Sequence, residues 1–176
     1  MIIRAACPQD RDALRRIYLD AFTADECEAV AALALALLDE EAKPVILNRV
    51  AEVEGRVAGH VAFSPVSSHV ALAWQGYILA PLAVSPATQR RGVGSALIES
   101  GLQLLRERGV NTVLVYGDPD YYGRFGFSAV LAEKYHAPYP LAYPFGWQAI
   151  ELTACPLAVP EISISCVAAL QKPSLW

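Results

Sequence analysis

Residues 76–108 constrain the fold of this chain more than any other stretch. An apolar run, Tyr77-Ile-Leu-Ala-Pro-Leu-Ala-Val84, leads through Ser85-Pro-Ala-Thr88 into Gln89-Arg-Arg-Gly-Val-Gly-Ser95. A periodic segment then runs to about Gly109, with Leu97, Ile98, Leu102 and Leu105 at helical spacing. The pattern predicts a strand, a glycine-bearing turn and a helix with one buried face. Gly92 and Gly94 place no side chain where the helix begins, so the unpaired N–H groups of its first turn stand open to a ligand. The helix dipole, with Arg90 and Arg91, favours a phosphate or pyrophosphate as that ligand. The competing role for the two glycines is close packing of the helix on a sheet.

Two nucleotide-binding loops can be tested against the spacing. A Walker A loop needs Lys-Ser/Thr after its last glycine, whereas Gly94 is followed by Ser95-Ala96. A dinucleotide loop needs Gly-x-Gly-x-x-Gly, and only two of those glycines are present. The missing lysine and Mg²⁺ ligands also argue against a nucleotide hydrolase.

The chain has 176 residues, the size of one ordinary domain, and its 55% hydrophobic content leaves little room for extended disorder. We expect one domain over residues 1–176, with residues 135–176 as a more variable C-terminal part. The balance of 14 basic and 18 acidic residues, net −4, lacks the basic face that nucleic-acid binding requires. The apolar tract at residues 29–38 is too short to span a bilayer, and the N-terminus lacks a secretory pattern. The expectation is therefore a cytoplasmic protein that binds neither membrane nor nucleic acid. Cys7, Cys27, Cys155 and Cys166 are scattered without a metal or disulfide cadence, and are expected as free thiols with no metal site.

In order along the chain, residues 1–5 predict a strand and residues from about 10 a helix carrying Leu14, Ile17 and Tyr18. A second helix is expected from Thr23-Ala-Asp-Glu26, read as a capping box, to the Asp39–Pro44 cluster. Residues 45–53 and 56–63 read as a hairpin about Glu54-Gly55, stopped by Ser64-Pro65. Pro81 falls inside the strand expected at about residues 72–84, where its missing N–H predicts a bulge or splay. Strands follow at residues 111–116, 127–131, 147–153 and 162–167, with a short helix at residues 120–124. The Pro- and aromatic-rich residues 138–146 predict a shaped loop.

Taken together, Gln89-x-x-Gly92-x-Gly94 between strand and helix resembles the acyl-CoA-binding segment of the GCN5-related N-acetyltransferase (GNAT) superfamily. Gly117-Asp-Pro-Asp-Tyr-Tyr-Gly-Arg-Phe-Gly-Phe127 and Ala58-Gly-His-Val-Ala-Phe-Ser-Pro-Val66 are similar to a bacterial predicted N-acetyltransferase subgroup. The resemblance covers residues 2 to about 130. It implies an α/β fold with a mixed central sheet, splayed at the coenzyme site, and helices on both faces. It also implies transfer of an acetyl group from acetyl-CoA, as cosubstrate, to an amine acceptor that is a small molecule or a protein. Residues Gln89, Arg90, Arg91, Gly92, Val93, Gly94 and Ser95 would hold the diphosphate, and Leu82, Ala83 and Val84 the pantetheine arm. Tyr122, in a Tyr-x-x-x-Gly-Phe arrangement, would be the general acid that protonates the departing thiolate. A phenol is protonated at neutral pH and suits that task. Its competing role is packing, which is the reading kept for Tyr121.

The strand carboxylate used as a base by many family members has no counterpart here. Glu26, Glu28 and His60 are positional candidates, Gln75 can only hold a water, and the base stays unassigned. Asp118 is expected to cap the short helix. The aromatic residues 135–147 would roof an acceptor pocket or form a homodimer interface. A longer acyl donor and a catalytically weak acyl-CoA-binding regulatory module are the alternative functions.

Overall fold

The structure is a computed structural model that describes residues 1–71, 73–154 and 161–176. Cys155 and the start of the strand expected from residue 72 lie outside the described residues. The first elements are β1 (Ile2–Ala5), α1 (Arg11–Ala21), α2 (Cys27–Asp39), β2 (Leu47–Val53) and β3 (Arg56–Ser67). They are followed by β4 (Gly76–Val84), α3 (Val93–Glu107), β5 (Thr112–Tyr116), α4 (Pro119–Tyr122) and α5 (Ala129–Ala132). Short strands β6 (Tyr135–His136), β7 (Trp147–Glu151), β8 (Ile162–Ser163) and β9 (Ser165–Cys166) complete the order. Two compact units share these elements: Met1–Phe63 with Ala80–Gly101, and Ser64–Leu79 with Leu102–Trp176.

In the first unit, β1, β2 and β3 pair antiparallel, with a register shift in the β2–β3 ladder between Ala51 and Glu52. Glu54 and Gly55 take φ of 54° and 75°, the left-handed pair that a two-residue hairpin turn of the right twist demands. Helices cover both faces, because adjacent strand residues point oppositely. A Cβ on Gly59 would meet Leu97 and Val93 of α3 at 3.0 Å, whereas its neighbour His60 is bonded to Tyr18 of α1. Gly101 of α3 lies flat on the Phe63 ring, which leaves no room for a side chain. Ile17 and Tyr18 of α1 join Ala31, Ala34 and Ala83 in one buried cluster. The spacing of Leu14, Ile17 and Tyr18 in the sequence is thus a true core stripe.

Thr23 and Glu26 do not form the expected capping box. The Thr23 hydroxyl donates to the Glu26 carboxylate at 3.3 Å, and the Thr23 carbonyl accepts from Glu26 and Cys27 N–H in a turn that precedes α2. Strand β3 also runs past Pro65, because β9 pairs with Val66 and Ser67 and extends it. Residues 127–131 bend into α5 after one bridge, Ser128↔Ala149, since the Ser128 hydroxyl accepts from Val130 N–H and caps a helix.

The first unit holds a buried polar chain. Tyr18 Oη lies 2.8 Å from His60 Nδ1, His60 Nε2 lies 3.2 Å from Asn48 Oδ1, and Asn48 Nδ2 donates to Leu37 O. The consistent assignment has Tyr18 donating to Nδ1 and Nε2–H donating to Asn48, which makes His60 neutral. Burial holds its pKa down at about 3, with the Asp10 charge acting in the opposite direction. Below the ordinary histidine pKa the unfolded chain takes up a proton that the folded chain refuses. Stability is therefore expected to fall as pH drops from about 6.5 toward 3, by about 1 kcal/mol per pH unit. Asp10, lowered to about 2 chiefly by its bonds from Arg4, adds a loss of the same sign at still lower pH. Thermal melts between pH 7 and 4 check this: His60→Gln should flatten the dependence even where it lowers the melting temperature.

The second unit contains the order β4-β5-β7, with β5 parallel to β4 and antiparallel to β7. The Trp74 indole N–H donates to Thr112 Oγ1 at 3.0 Å, and its ring stacks on Tyr135 at 5.4 Å. Trp147 donates to Tyr135 O, so the aromatic residues are anchored by their polar ends as well as by area. Among the described residues, no helix is long and apolar enough to cross a membrane.

Candidate active site

Strand β4 continues farther than its pairing with β5. The parallel register runs from Gly76↔Thr112 to Leu79↔Val115, and β4 then extends to Val84. Pro81, without an N–H to offer a ladder, lies just past the last pair. The parallel ladder therefore ends just before Pro81, the residue at which the sequence predicts a bulge or splay. Leu82, Ala83 and Val84 are the strand's final residues, with Leu82 and Val84 half-buried and Ala83 buried.

The chain leaves β4 through a short 3-10 turn, Pro86–Thr88, held by Ser85 N–H to Ala58 O at 2.8 Å and by the Thr88 hydroxyl to Ser85 O. It then makes two left-handed steps, at Arg90 (φ 60°) and Gly92 (φ 78°), before α3 begins at Val93. A Cβ at Gly92 would meet nothing within 4 Å, so this glycine is demanded by backbone conformation and opens free space beside the helix start. Gly92 O accepts from Ala96 N–H, which makes Gly92 the last residue before the first turn. The N–H groups of Val93, Gly94 and Ser95 then belong to the turn that lacks intrahelical acceptors. Arg90 and Arg91 are exposed and make no ion pair among the described residues.

Gln89 is exposed, and its side chain folds back toward the end of β4. Its carboxamide donates to Val84 O at 3.2 Å and braces the strand end against the bend. Ser85, Thr88 and Arg91 also line a cavity of about 850 Å³ in this unit, together with Arg16, Arg56, Asp20 and Glu54. A volume of that order is typical of small-molecule and cofactor sites.

In the second unit, α4 carries Tyr122. Asp118 accepts from Asp120 N–H at 2.9 Å and caps the helix, the role the sequence assigned it. The Tyr122 ring is set edge-on to Tyr121 at 5.1 Å and Phe127 at 5.8 Å. Its hydroxyl has no hydrogen-bond partner among the described residues. Burial, then the neighbouring Tyr121 and Asp118, raise its pKa above the ordinary phenol value, so it keeps its proton at neutral and alkaline pH. Arg124 donates to Tyr121 O and covers the Tyr121 ring at 4.6 Å, which braces the helix.

The base candidates are otherwise engaged. His60 is buried, with both ring nitrogens bonded. Glu28 pairs with Arg15 at 3.0 Å, and Glu26 accepts from Thr23. Among the described residues no three His, Cys, Asp or Glu side chains converge as a metal site. Burial pushes the Cys166 thiol up to about 12, far from the reactive range. Tyr143 and Phe145 are exposed at the tip of the aromatic loop, which Tyr116 Oη anchors by accepting from Tyr143 N–H. Sequence reasoning overlooked the cavity with its arginines, because its residues come from separate segments.

The profile described as Acetyltransferase (GNAT) family matches residues 11–127. The uncharacterized N-acetyltransferase YjhQ of Escherichia coli K12 is 37% identical over 161 residues, covering 85% of this chain and 83% of that protein. The crystal structure of YhbS, a GNAT family N-acetyltransferase from Escherichia coli in complex with CoA, is 28% identical with a TM-score of 0.81, over 97% of this chain and 92% of that one. A GNAT family acetyltransferase from Brucella melitensis in complex with acetyl-CoA is 32% identical with a TM-score of 0.68, covering 96% of each chain.

Proposed function

The chain belongs to the acetyltransferase (GNAT) family, and from that premise we propose that it transfers an acetyl group from acetyl-CoA to a primary amine of a small molecule or protein. The observation that carries this reading is the left-handed bend at Arg90 and Gly92, which opens the first turn of α3 directly after a strand that outruns its parallel neighbour. The CoA and acetyl-CoA held by the YhbS and Brucella proteins support the same cosubstrate here.

On this reading the N–H groups of Val93, Gly94 and Ser95 grip the diphosphate, with Arg90 and Arg91 adding positive potential. Gln89 contributes by bracing Val84. The backbone of Leu82, Ala83 and Val84 pairs with the amides of the pantetheine arm, and an N–H of that strand polarises the thioester carbonyl as charge develops on oxygen. The neutral amine attacks the carbonyl carbon, forming a C–N bond and a tetrahedral oxyanion. Collapse breaks the C–S bond, and Tyr122 gives its proton to the departing sulfur. The ammonium proton leaves to solvent, which also restores the phenol. No side chain is assigned as base, and positioning supplies much of the rate.

The test is a thiol-release screen of several acyl-CoAs against a varied amine library, with product masses recorded. Acetyl-CoA-dependent release with a mass gain of one acetyl group on an amine supports the reading. Release only with long-chain donors, or coenzyme binding with no release for any amine, would replace it.

A further inference from the structure

Tyr122 owes its place to a residue with no side chain. A Cβ built on Gly117 would lie 2.5 Å from Tyr122 Cε2 and 3.1 Å from its Cδ2, so the ring rests directly on the Gly117 backbone. Gly117 has no left-handed φ, and backbone conformation does not explain the glycine. Contact with the ring does.

Nor can the backbone beneath the ring retreat. Gly117 N–H donates to Gly146 O at 2.9 Å, and its carbonyl accepts from Gln148 Nε2 at 3.2 Å. Gln148 is buried at 1% exposure. Gly146 is itself close-packed, since a Cβ there would meet Gly117 O at 3.0 Å and the Tyr116 ring at 3.2 Å. Tyr121 and Phe127 also pack edge-on against the ring. Any atom added at position 117 must therefore displace the ring.

We propose that Gly117 is a positioning residue for the transferase: its bare backbone is the seat that sets where the Tyr122 hydroxyl reaches, and a methyl group there would lift the phenol off line from the departing sulfur. The inference rests on Tyr122 as the proton donor. Displacement of a catalytic group by about 1 Å costs about 10- to 100-fold in rate.

The experiment is a double-mutant cycle on kcat with Gly117→Ala and Tyr122→Phe, with Gly123→Ala as a neighbouring control. Gly123 has open space, nothing lying within 4 Å of its built Cβ. Gly117→Ala is expected to lower kcat about 10- to 100-fold and to leave KM for acetyl-CoA within about twofold. In the Tyr122→Phe background it should have no further effect, because the proton it mislays is already gone. Gly123→Ala should behave as the parent. Equal losses from Gly117→Ala with and without the Tyr122 hydroxyl would overturn the inference while leaving Tyr122 as acid intact. Full activity of Tyr122→Phe would remove Tyr122 itself. If Gly117→Ala alone does not fold, Gly117→Ala/Tyr122→Ala should recover soluble, cooperatively melting protein, since the ring that the methyl strikes is absent. Persistent unfolding of that double variant would equally overturn the seat.

Discussion

Tyr122→Phe is expected to lower kcat for acetyl transfer about 100-fold, within the range that a positioned general acid contributes, with KM for acetyl-CoA almost unchanged. The ring packing on Gly117, Tyr121 and Phe127 involves only carbon edges, so phenylalanine keeps the fold and loses the proton. Because burial raises the Tyr122 pKa, the parent should hold its activity as pH rises past 10 until other groups titrate. Steady-state kinetics at saturating amine, repeated across pH, would settle the role. Equal kcat values for the two proteins would return Tyr122 to a packing residue beside Tyr121.

The second large effect is expected at the bend. Gly92→Asp should weaken CoA binding about 100-fold, while Gly92→Asn should stay within a few-fold of the parent. Both residues tolerate the left-handed φ of 78° better than other side chains, and both have open space to occupy. They differ by one negative charge. At about 5 Å and an effective dielectric of about 20, a carboxylate facing a phosphate charge costs about 3 kcal/mol, which is about two orders of magnitude in affinity. Calorimetric titration with CoA measures both variants, and added salt should narrow the gap between them. Similar affinities for the Asp and Asn variants would place the diphosphate elsewhere.

Much of the candidate site was legible because it is local. The strand, bend and helix of residues 76–108 announce themselves by an apolar run, two glycines and a helical stripe within one continuous segment. The hairpin turn at Glu54-Gly55 and the Asp118 cap are equally local, and both occur as read. Errors arose where a distant partner overrides a local signal. Pro65 reads as a strand terminator, yet β9, some hundred residues later in sequence, pairs with the residues just beyond it. Ser128 reads as part of a strand, but its hydroxyl caps a helix after one bridge to Ala149. Thr23 and Glu26 have capping-box spacing but meet side chain to side chain.

By itself, the sequence determined the elements signalled within a few residues: the glycine-bearing turn before α3, the core stripe of α1 and the short capped helix that ends at Tyr122. Tertiary structure alone decided which of the motif's polar groups are available. It leaves the Tyr122 hydroxyl unpaired among the described residues and buries His60 as a neutral bridge between Tyr18 and Asn48. The reason is that burial and partner choice depend on segments far apart in the chain. No spacing rule within one motif carries that information.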